Sequence, residues 1–210
     1  MKSVTANTAS TAADIKRQHG LTMIEVLVTL IILSVGLLGL AGLQGVAKRS
    51  SHQAYQRTLA TQLVDGIIER IRANPTAAAN YHTGTSSPLG GATRGESAPS
   101  PDCSSSTCTA AQMASYELWS WEQAIDGATI TEDIGGVSTK EGGLIVPAGC
   151  IVFAADAGKT NTGKLSVILS WRGLSEITDA AESGVACGSG AADARRRQTV
   201  VNTYIIDETE

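Results

Sequence analysis

Aromatic and charged residues are scarce in this chain. Phe, Tyr and Trp make up 4% of the 210 residues, and Asp, Glu, Lys and Arg make up 17%. The formal net charge is −4, which argues against bulk polyanion binding and against nucleic acid as a partner. Because the hydrophobic residues are concentrated near the N-terminus, we expect the remainder to fold around a modest core.

Histidine is also scarce, and the familiar catalytic patterns are missing. Beyond residue 20 the sequence has only His52 and His82, and neither has an obvious acidic partner. There is no Gly-x-Ser-x-Gly elbow, no phosphate loop and no calcium loop. The sequence therefore predicts a protein that is not an enzyme and needs no cofactor and no metal. A membrane-anchored periplasmic enzyme is the alternative from a different functional class.

Proline is absent before residue 75, so residues 21–74 are predicted to form one long helix that ends at Asn74-Pro75. Residues 26–47 contain no charge and, as a helix, would span about 33 Å, enough to cross a bilayer. Lys16 and Arg17 precede this run, which predicts a cytoplasmic N-terminus and an external remainder. A secretory signal cut after Ala47 is the alternative, but the apolar run is long for one and it follows Glu25.

Glu25 is unusual because a carboxylate at the edge of an apolar helix is costly to carry into a bilayer. It either lies at the interface, where it complements the helix dipole, or pairs with another group. If the chain is cut after Gly20, Leu21 carries a free amino group with which the Glu25 of a neighbouring subunit can pair.

Four glycines recur every third residue in the apolar half: Gly36, Gly39, Gly42 and Gly45. One interpretation is close helix packing through small residues in a membrane or filament. The other is local melting of the helix, since each glycine lowers helix propensity by up to about 1 kcal/mol relative to Ala.

The second half of the predicted helix, residues 48–74, is amphipathic. Its apolar stripe comprises Tyr55, Leu59, Leu63, Ile67 and Ile71, joined by Ala60, Val64 and Ile68. A loop-rich stretch and a short helix over about 110–125 follow. Antiparallel strands are predicted over residues 143–154, 164–171 and 198–206. Pro147 predicts either an edge position or a strand start for the first of them. We therefore expect an α+β fold in which the sheet covers the helix stripe.

Four cysteines lie outside the apolar run: Cys103, Cys108, Cys150 and Cys187. Three disulfide pairings are possible. Proximity favours Cys103 with Cys108, which leaves Cys150 for Cys187. Zinc binding is the competing use, but the spacings lack paired knuckles.

The densest basic run is Arg195-Arg196-Arg197, which precedes the last predicted strand. We interpret it as a solvated turn, with contact to phosphates or to an acidic partner as the alternative.

The segment Gly20-Leu21-Thr22-Met23-Ile24-Glu25, preceded by basic residues and followed by the apolar run, resembles the class III signal of type IV prepilins. The resemblance implies a leader over residues 1–20, cleaved after Gly20 by a prepilin peptidase, and methylation of Leu21. It also implies a transmembrane or filament-core helix over 21–47, docking through Glu25, and a periplasmic head over 48–210 with the type IV pilin fold. Leu21 departs from the Phe found in most major pilins.

Further stretches resemble the type IV pilus modification protein PilV family of minor pilins: residues 24–44, 69–75 and 102–114. This implies a subunit that primes pilus assembly with other minor pilins, contacts the major pilin, supports a tip adhesin, and so promotes adhesion and twitching motility. It would reside in the bacterial inner membrane before assembly and in the pilus, at its tip, afterwards. A minor pseudopilin of type II secretion is the nearest alternative.

Overall fold

A computed structural model describes residues 20–128, 130–140, 142–177, 186–188 and 194–210. The helices are α1 (Met23–Ala73), a 3₁₀ helix (Pro75–Tyr81) and α2 (Ala110–Ile125). The strands are β1 (Thr131–Ile134), β2 (Val137–Lys140), β3 (Ala148–Ala155), β4 (Gly163–Arg172) and β5 (Arg196–Ile205). The chain divides into two compact units, Met1–Ala47 and Lys48–Glu210. We call the second unit the head.

The strands form two antiparallel sheets. The larger sheet has the order β3-β4-β5, and β1 and β2 form a separate hairpin. Cys150 lies opposite Ile168 in the β3–β4 pair, and Val167 lies opposite Val201 in the β4–β5 pair. The strand β3 is an edge strand and begins directly after Pro147. Both features suit proline, which has no N–H to donate to a neighbouring strand.

The second half of α1 packs into the core of the head. Its buried residues are Gln56, Ala60, Val64, Ile67, Ile68 and Ile71. The apolar members of this set share one hydrophobic cluster with residues of the larger sheet, such as Leu165 and Val167, and with residues of α2 and the 3₁₀ helix, such as Leu118 and Tyr81. The buried face of the helix has the predicted period, but its centre lies to one side of the predicted stripe. Tyr55 is 55% exposed, and Leu59 and Leu63 are only partly buried. The prediction of an α+β fold is confirmed.

The start of α2 is fixed by a capping box. The Gln112 backbone N–H donates to Thr109 Oγ1 at 3.3 Å, and the Thr109 backbone N–H donates to Gln112 Oε1 at 2.9 Å. The helix ends before Gly127, whose φ is +74°. The Gly143 backbone lies so close to Gly127 that a Cβ on Gly127 would be 2.1 Å from Gly143 N. The predicted range for this helix agrees with the observed one.

One local prediction is wrong, and two elements were not predicted. Strand β3 starts at Ala148 rather than at residue 143, because Val146 has φ +47° and the preceding backbone bonds elsewhere. The Leu144 N–H donates to Ile125 O at 2.9 Å, and the Ile145 carbonyl accepts from the Arg172 N–H at 2.8 Å. The β1–β2 hairpin and the 3₁₀ helix were not predicted.

Both disulfides favoured by proximity are present. Cys103 is bonded to Cys108 in the loop before α2, and Cys150 on β3 is bonded to Cys187. No cysteine is free, which leaves no thiolate for the zinc alternative.

Candidate functional site

The proposed cleavage junction lies at the start of α1. Gly20 and Leu21 precede the helix in exposed, non-helical backbone, and Leu21 is 76% exposed. The predicted leader residues 1–19, which include Lys16 and Arg17, lie outside the described residues. Glu25 is in the first turn of α1, where its N–H donates to Thr22 O at 3.1 Å. Its carboxylate is exposed and therefore accessible to a group on another chain.

The apolar half of α1 presents its side chains to the outside. All residues from Gly20 to Ala54 except Gln53 are exposed, including large apolar side chains such as Met23 at 85%. The hydroxyls within it are satisfied internally: Thr29 Oγ1 donates to Val26 O and Ser34 Oγ to Ile31 O, both at 2.8 Å. Among the described helices, α1 alone is long and apolar enough to cross a membrane, judged by length and composition. A segment of this kind needs lipid or other apolar helices around it.

The four glycines all lie within α1. A Cβ built at Gly36, Gly39, Gly42 or Gly45 would meet nothing within 4 Å. No packing inside the described chain therefore requires glycine at these positions. Under both hypotheses, close packing and melting, the glycines act where the helix contacts lipid or another subunit.

The end of α1 is joined to the rest of the head through Asn74. Its Nδ2 donates to Tyr81 Oη at 3.0 Å and to Ala110 O at 2.8 Å. Tyr81 is fully buried, and its hydroxyl donates to Glu117 Oε2 on α2. Burial, together with this carboxylate, raises the pKa of the Tyr81 hydroxyl, so the tyrosine stays protonated and remains a donor. The Asn-Pro pair thus links α1, the 3₁₀ helix and α2.

A buried carboxylate organises the loop over residues 89–95. Glu122 on α2 is 0% exposed and accepts from the N–H groups of Gly90 at 2.8 Å, Thr93 at 2.8 Å and Arg94 at 2.7 Å, and from the Thr93 hydroxyl. Burial acts to raise the pKa of Glu122, but these four hydrogen bonds outweigh it and lower the pKa. The carboxylate therefore remains ionised while buried.

Asp126, four residues after Glu122, accepts hydrogen bonds from the same loop. Its carboxylate accepts from Gly91 N at 2.8 Å and from Ala92 N at 2.9 Å. The buried position of Glu122 was not predicted from the sequence. The sequence signal was its spacing of four from Asp126 on a helix that follows a Gly-rich loop.

Two further polar side chains fix α1 within the head. Trp121 Nε1 donates to Leu63 O at 2.9 Å. The buried amide of Gln56 donates to Gly143 O at 3.2 Å and accepts from Ile145 N at 3.4 Å. Gln56 lies in the middle of the buried helix face, where hydrophobic periodicity gives no indication of a polar residue.

The histidines form no acid–base pair with a described residue. His52 is exposed, and His82 Nδ1 accepts from Phe153 N at 3.0 Å. No group of three or more His, Cys, Asp or Glu in the described ranges is placed to hold a metal ion.

The arginine triplet is more structured than a solvated turn. Arg196 and Arg197 lie within β5, and Arg196 Nη1 donates to Cys187 O at 3.4 Å. Arg195 lies 3.4 Å from Glu176 Oε1, and Arg197 Nη2 donates to Ser175 O at 2.9 Å.

Two family models match this chain. Residues 15–41 match the prokaryotic N-terminal methylation motif, and residues 42–119 match the type IV pilin Tt1218 family. No curated protein and no solved structure matches the chain. The type IV pilin family is structural rather than enzymatic.

These matches cover the regions that the geometry singles out. The methylation motif contains the cleavage junction, Glu25 and most of the exposed apolar helix. The pilin match contains the packed half of α1, the Asn74 junction and most of α2. The chain is thus similar to a type IV pilin over residues 42–119, directly after a segment that matches the N-terminal methylation motif.

Proposed function

We propose that this chain is a minor pilin that takes part in type IV pilus assembly. The observation that carries the proposal is the exposed apolar half of α1, which follows a methylation motif and precedes a disulfide-bonded head. In an isolated soluble protein, this half of the helix would expose its apolar side chains to water. It requires the inner membrane before assembly and the helices of neighbouring subunits afterwards.

Processing prepares the segment for assembly. Cleavage after Gly20 creates an amino group on Leu21, four residues before Glu25. In a filament, the Glu25 carboxylate of one subunit pairs with the Leu21 amine of a neighbour. Because the surroundings are apolar, leaving the Glu25 carboxylate unpaired is energetically costly. Only the axial arrangement of subunits that pairs Glu25 with an amine is therefore favourable. The pair therefore sets the axial position of each subunit.

The role among pilins follows from the resemblance to the PilV family. In this role the subunit primes assembly with other minor pilins and contacts the major pilin through the N-terminal helix. The head supports a tip adhesin, so the subunit promotes adhesion and twitching motility from a position at the pilus tip.

A deletion strain complemented with single variants tests this function. Wild type should restore surface pili, whereas Glu25→Ala should insert into the membrane normally but fail to enter sheared fibres. Asp65→Ala, which removes an exposed carboxylate from the packed half of α1, is the matched control and should restore pili. Normal piliation in the deletion strain together with failed export of folded exoproteins would contradict the proposal and identify a type II secretion pseudopilin.

A further inference from the structure

The head contains a cationic pocket of about 350 Å³, which we define by Ser50, His52, Arg57, Trp171, Arg172 and Arg197 among its lining residues. Three arginines and one histidine are among its lining residues, and none of the lining residues is acidic. This composition contrasts with the net negative charge of the whole chain. A concave site lined by donors and positive charge is suited to an anionic ligand.

The pocket is built into the fold by the end of the larger sheet. Trp171 on β4 is the register partner of Arg197 on β5, which places both side chains on the same sheet face. The Arg197 guanidinium is fixed by bonds to Ser175 O at 2.9 Å and to Arg195 O at 3.3 Å. Gly173 allows this close approach, since a Cβ there would lie 3.1 Å from Arg197 Cζ.

A second observation points to a missing acceptor. Trp171 is 4% exposed, yet its indole N–H has no hydrogen-bond acceptor among the residues that the structure describes. Buried indole N–H groups in proteins normally have one. Because Trp171 lines the pocket, an anion bound there is a candidate acceptor for this N–H.

Chain connectivity relates the pocket to the apolar segment. Ser50, on the pocket wall, follows Ala47 by three residues, which cannot span more than about 11 Å. Residues 26–47 are the uncharged run. If that run crosses the inner membrane, Ser50 lies within this reach of the last membrane residue, close to the periplasmic headgroups, where phosphate is the abundant anion.

We propose that this pocket binds the phosphate of an anionic phospholipid while the subunit is held in the inner membrane. The proposal rests on the membrane-inserted state in the proposed function. The Arg57 guanidinium can bind phosphate oxygens with two donors, and Leu174 at the pocket, 46% exposed, provides an apolar contact beside the headgroup. The pocket would then hold the head against the membrane until the subunit is extracted into a filament.

Native mass spectrometry of the full chain in non-ionic detergent micelles with equal phosphatidylglycerol and phosphatidylcholine tests the proposal. We expect phosphatidylglycerol adducts to dominate, and Arg57→Gln to reduce this preference roughly fivefold. Arg57 is the chosen position because its side chain has no described hydrogen bond or ion pair. The matched control is Lys164→Gln, an exposed cation at the opposite end of β4, which should keep the preference.

The outcomes separate the alternatives. An equal loss in Lys164→Gln, or no loss in Arg57→Gln, overturns the proposal. A parallel series with inorganic phosphate instead of lipid identifies the source: phosphate adducts that outcompete phosphatidylglycerol assign the pocket to soluble phosphate and overturn the lipid assignment. If Arg57→Gln keeps lipid selectivity but reduces entry into fibres, the ligand is a carboxylate of a neighbouring subunit.

The same variants are tested for membrane retention after carbonate extraction. Failure of wild type to be retained contradicts the proposed function, whereas retention without lipid preference contradicts only the pocket assignment.

Discussion

The two halves of α1 differ in what surrounds them. From Met23 to Ala47 every residue is exposed, whereas six residues of the second half are buried in the head. The first half is uncharged and mostly apolar from residue 26 onward, and the second carries an apolar stripe with charges on the other faces. The second half therefore derives its stability from its own chain, and the first must obtain it from lipid or other subunits.

Truncating equivalent residues in the two halves should have the largest contrasting effect on stability. Ile71→Ala removes a fully buried side chain and should lower the free energy of unfolding of the head by about 2–5 kcal/mol. Ile31→Ala, at a position 63% exposed, should leave it unchanged. Urea unfolding of the full chain in micelles, followed by tryptophan fluorescence, measures this because all three tryptophans lie in the head. Equal destabilisation by both variants would contradict the comparison.

The two disulfides should contribute unequally to the head. Cys150–Cys187 joins residues 37 positions apart, and Cys103–Cys108 joins residues 5 apart. In the chain-entropy model the former contributes about 4 kcal/mol and the latter about 2 kcal/mol. We expect Cys150→Ser/Cys187→Ser to lower the urea midpoint more than Cys103→Ser/Cys108→Ser does. The reverse order would show that the small loop is the main covalent constraint.

Glu122→Gln should destabilise the head by about 1–3 kcal/mol at pH 7. Four donors face the two carboxylate oxygens, and the variant replaces one of these oxygens by an NH₂ group, which cannot accept. The folded pKa of Glu122 is lowered, so its ionised form stabilises the fold above the unfolded pKa of about 4.3. That contribution is lost as the pH falls through the folded pKa. The difference between wild type and variant should therefore shrink in acid, and a difference independent of pH would contradict the ionised assignment.

Replacing Gly36, Gly39, Gly42 and Gly45 by Ala should leave the stability of the head unchanged. Each replacement favours the helix by up to about 1 kcal/mol, and the added Cβ meets nothing within the chain. Membrane insertion should persist. If the segment melts on assembly, entry into sheared fibres should fall, and unchanged entry would exclude the melting hypothesis.

Regular periodicity made much of this fold predictable. Helix α2 was predicted at its observed bounds because polar loop residues flank it. Strands β4 and β5 were predicted to within about two residues at each end because β-branched residues concentrate there. The β1–β2 hairpin was missed because Glu132, Asp133 and Lys140 interrupt any apolar alternation. Its one local signal is the Gly135-Gly136 turn, where both φ angles are positive.

Sites that depend on distant residues could not be predicted. The junction segment was recognisable because Gly20, Glu25 and the apolar run are adjacent in sequence. The buried role of Glu122 depends on a loop that lies about 30 residues earlier, and the cationic pocket joins Arg57 to Arg197. No local pattern encodes such contacts, since they arise only when the sheet and helices pack together.

The central claim is that the apolar half of α1 is a processed prepilin segment. Mass spectrometry of the N-terminal peptide, from membranes and from sheared surface fibres of cells with and without prepilin peptidase, tests it most directly. The account predicts a peptide that begins at methylated Leu21, found in fibres and only when the peptidase is present. A mature chain that begins at Lys48, or one that retains Met1 in both strains, would contradict it.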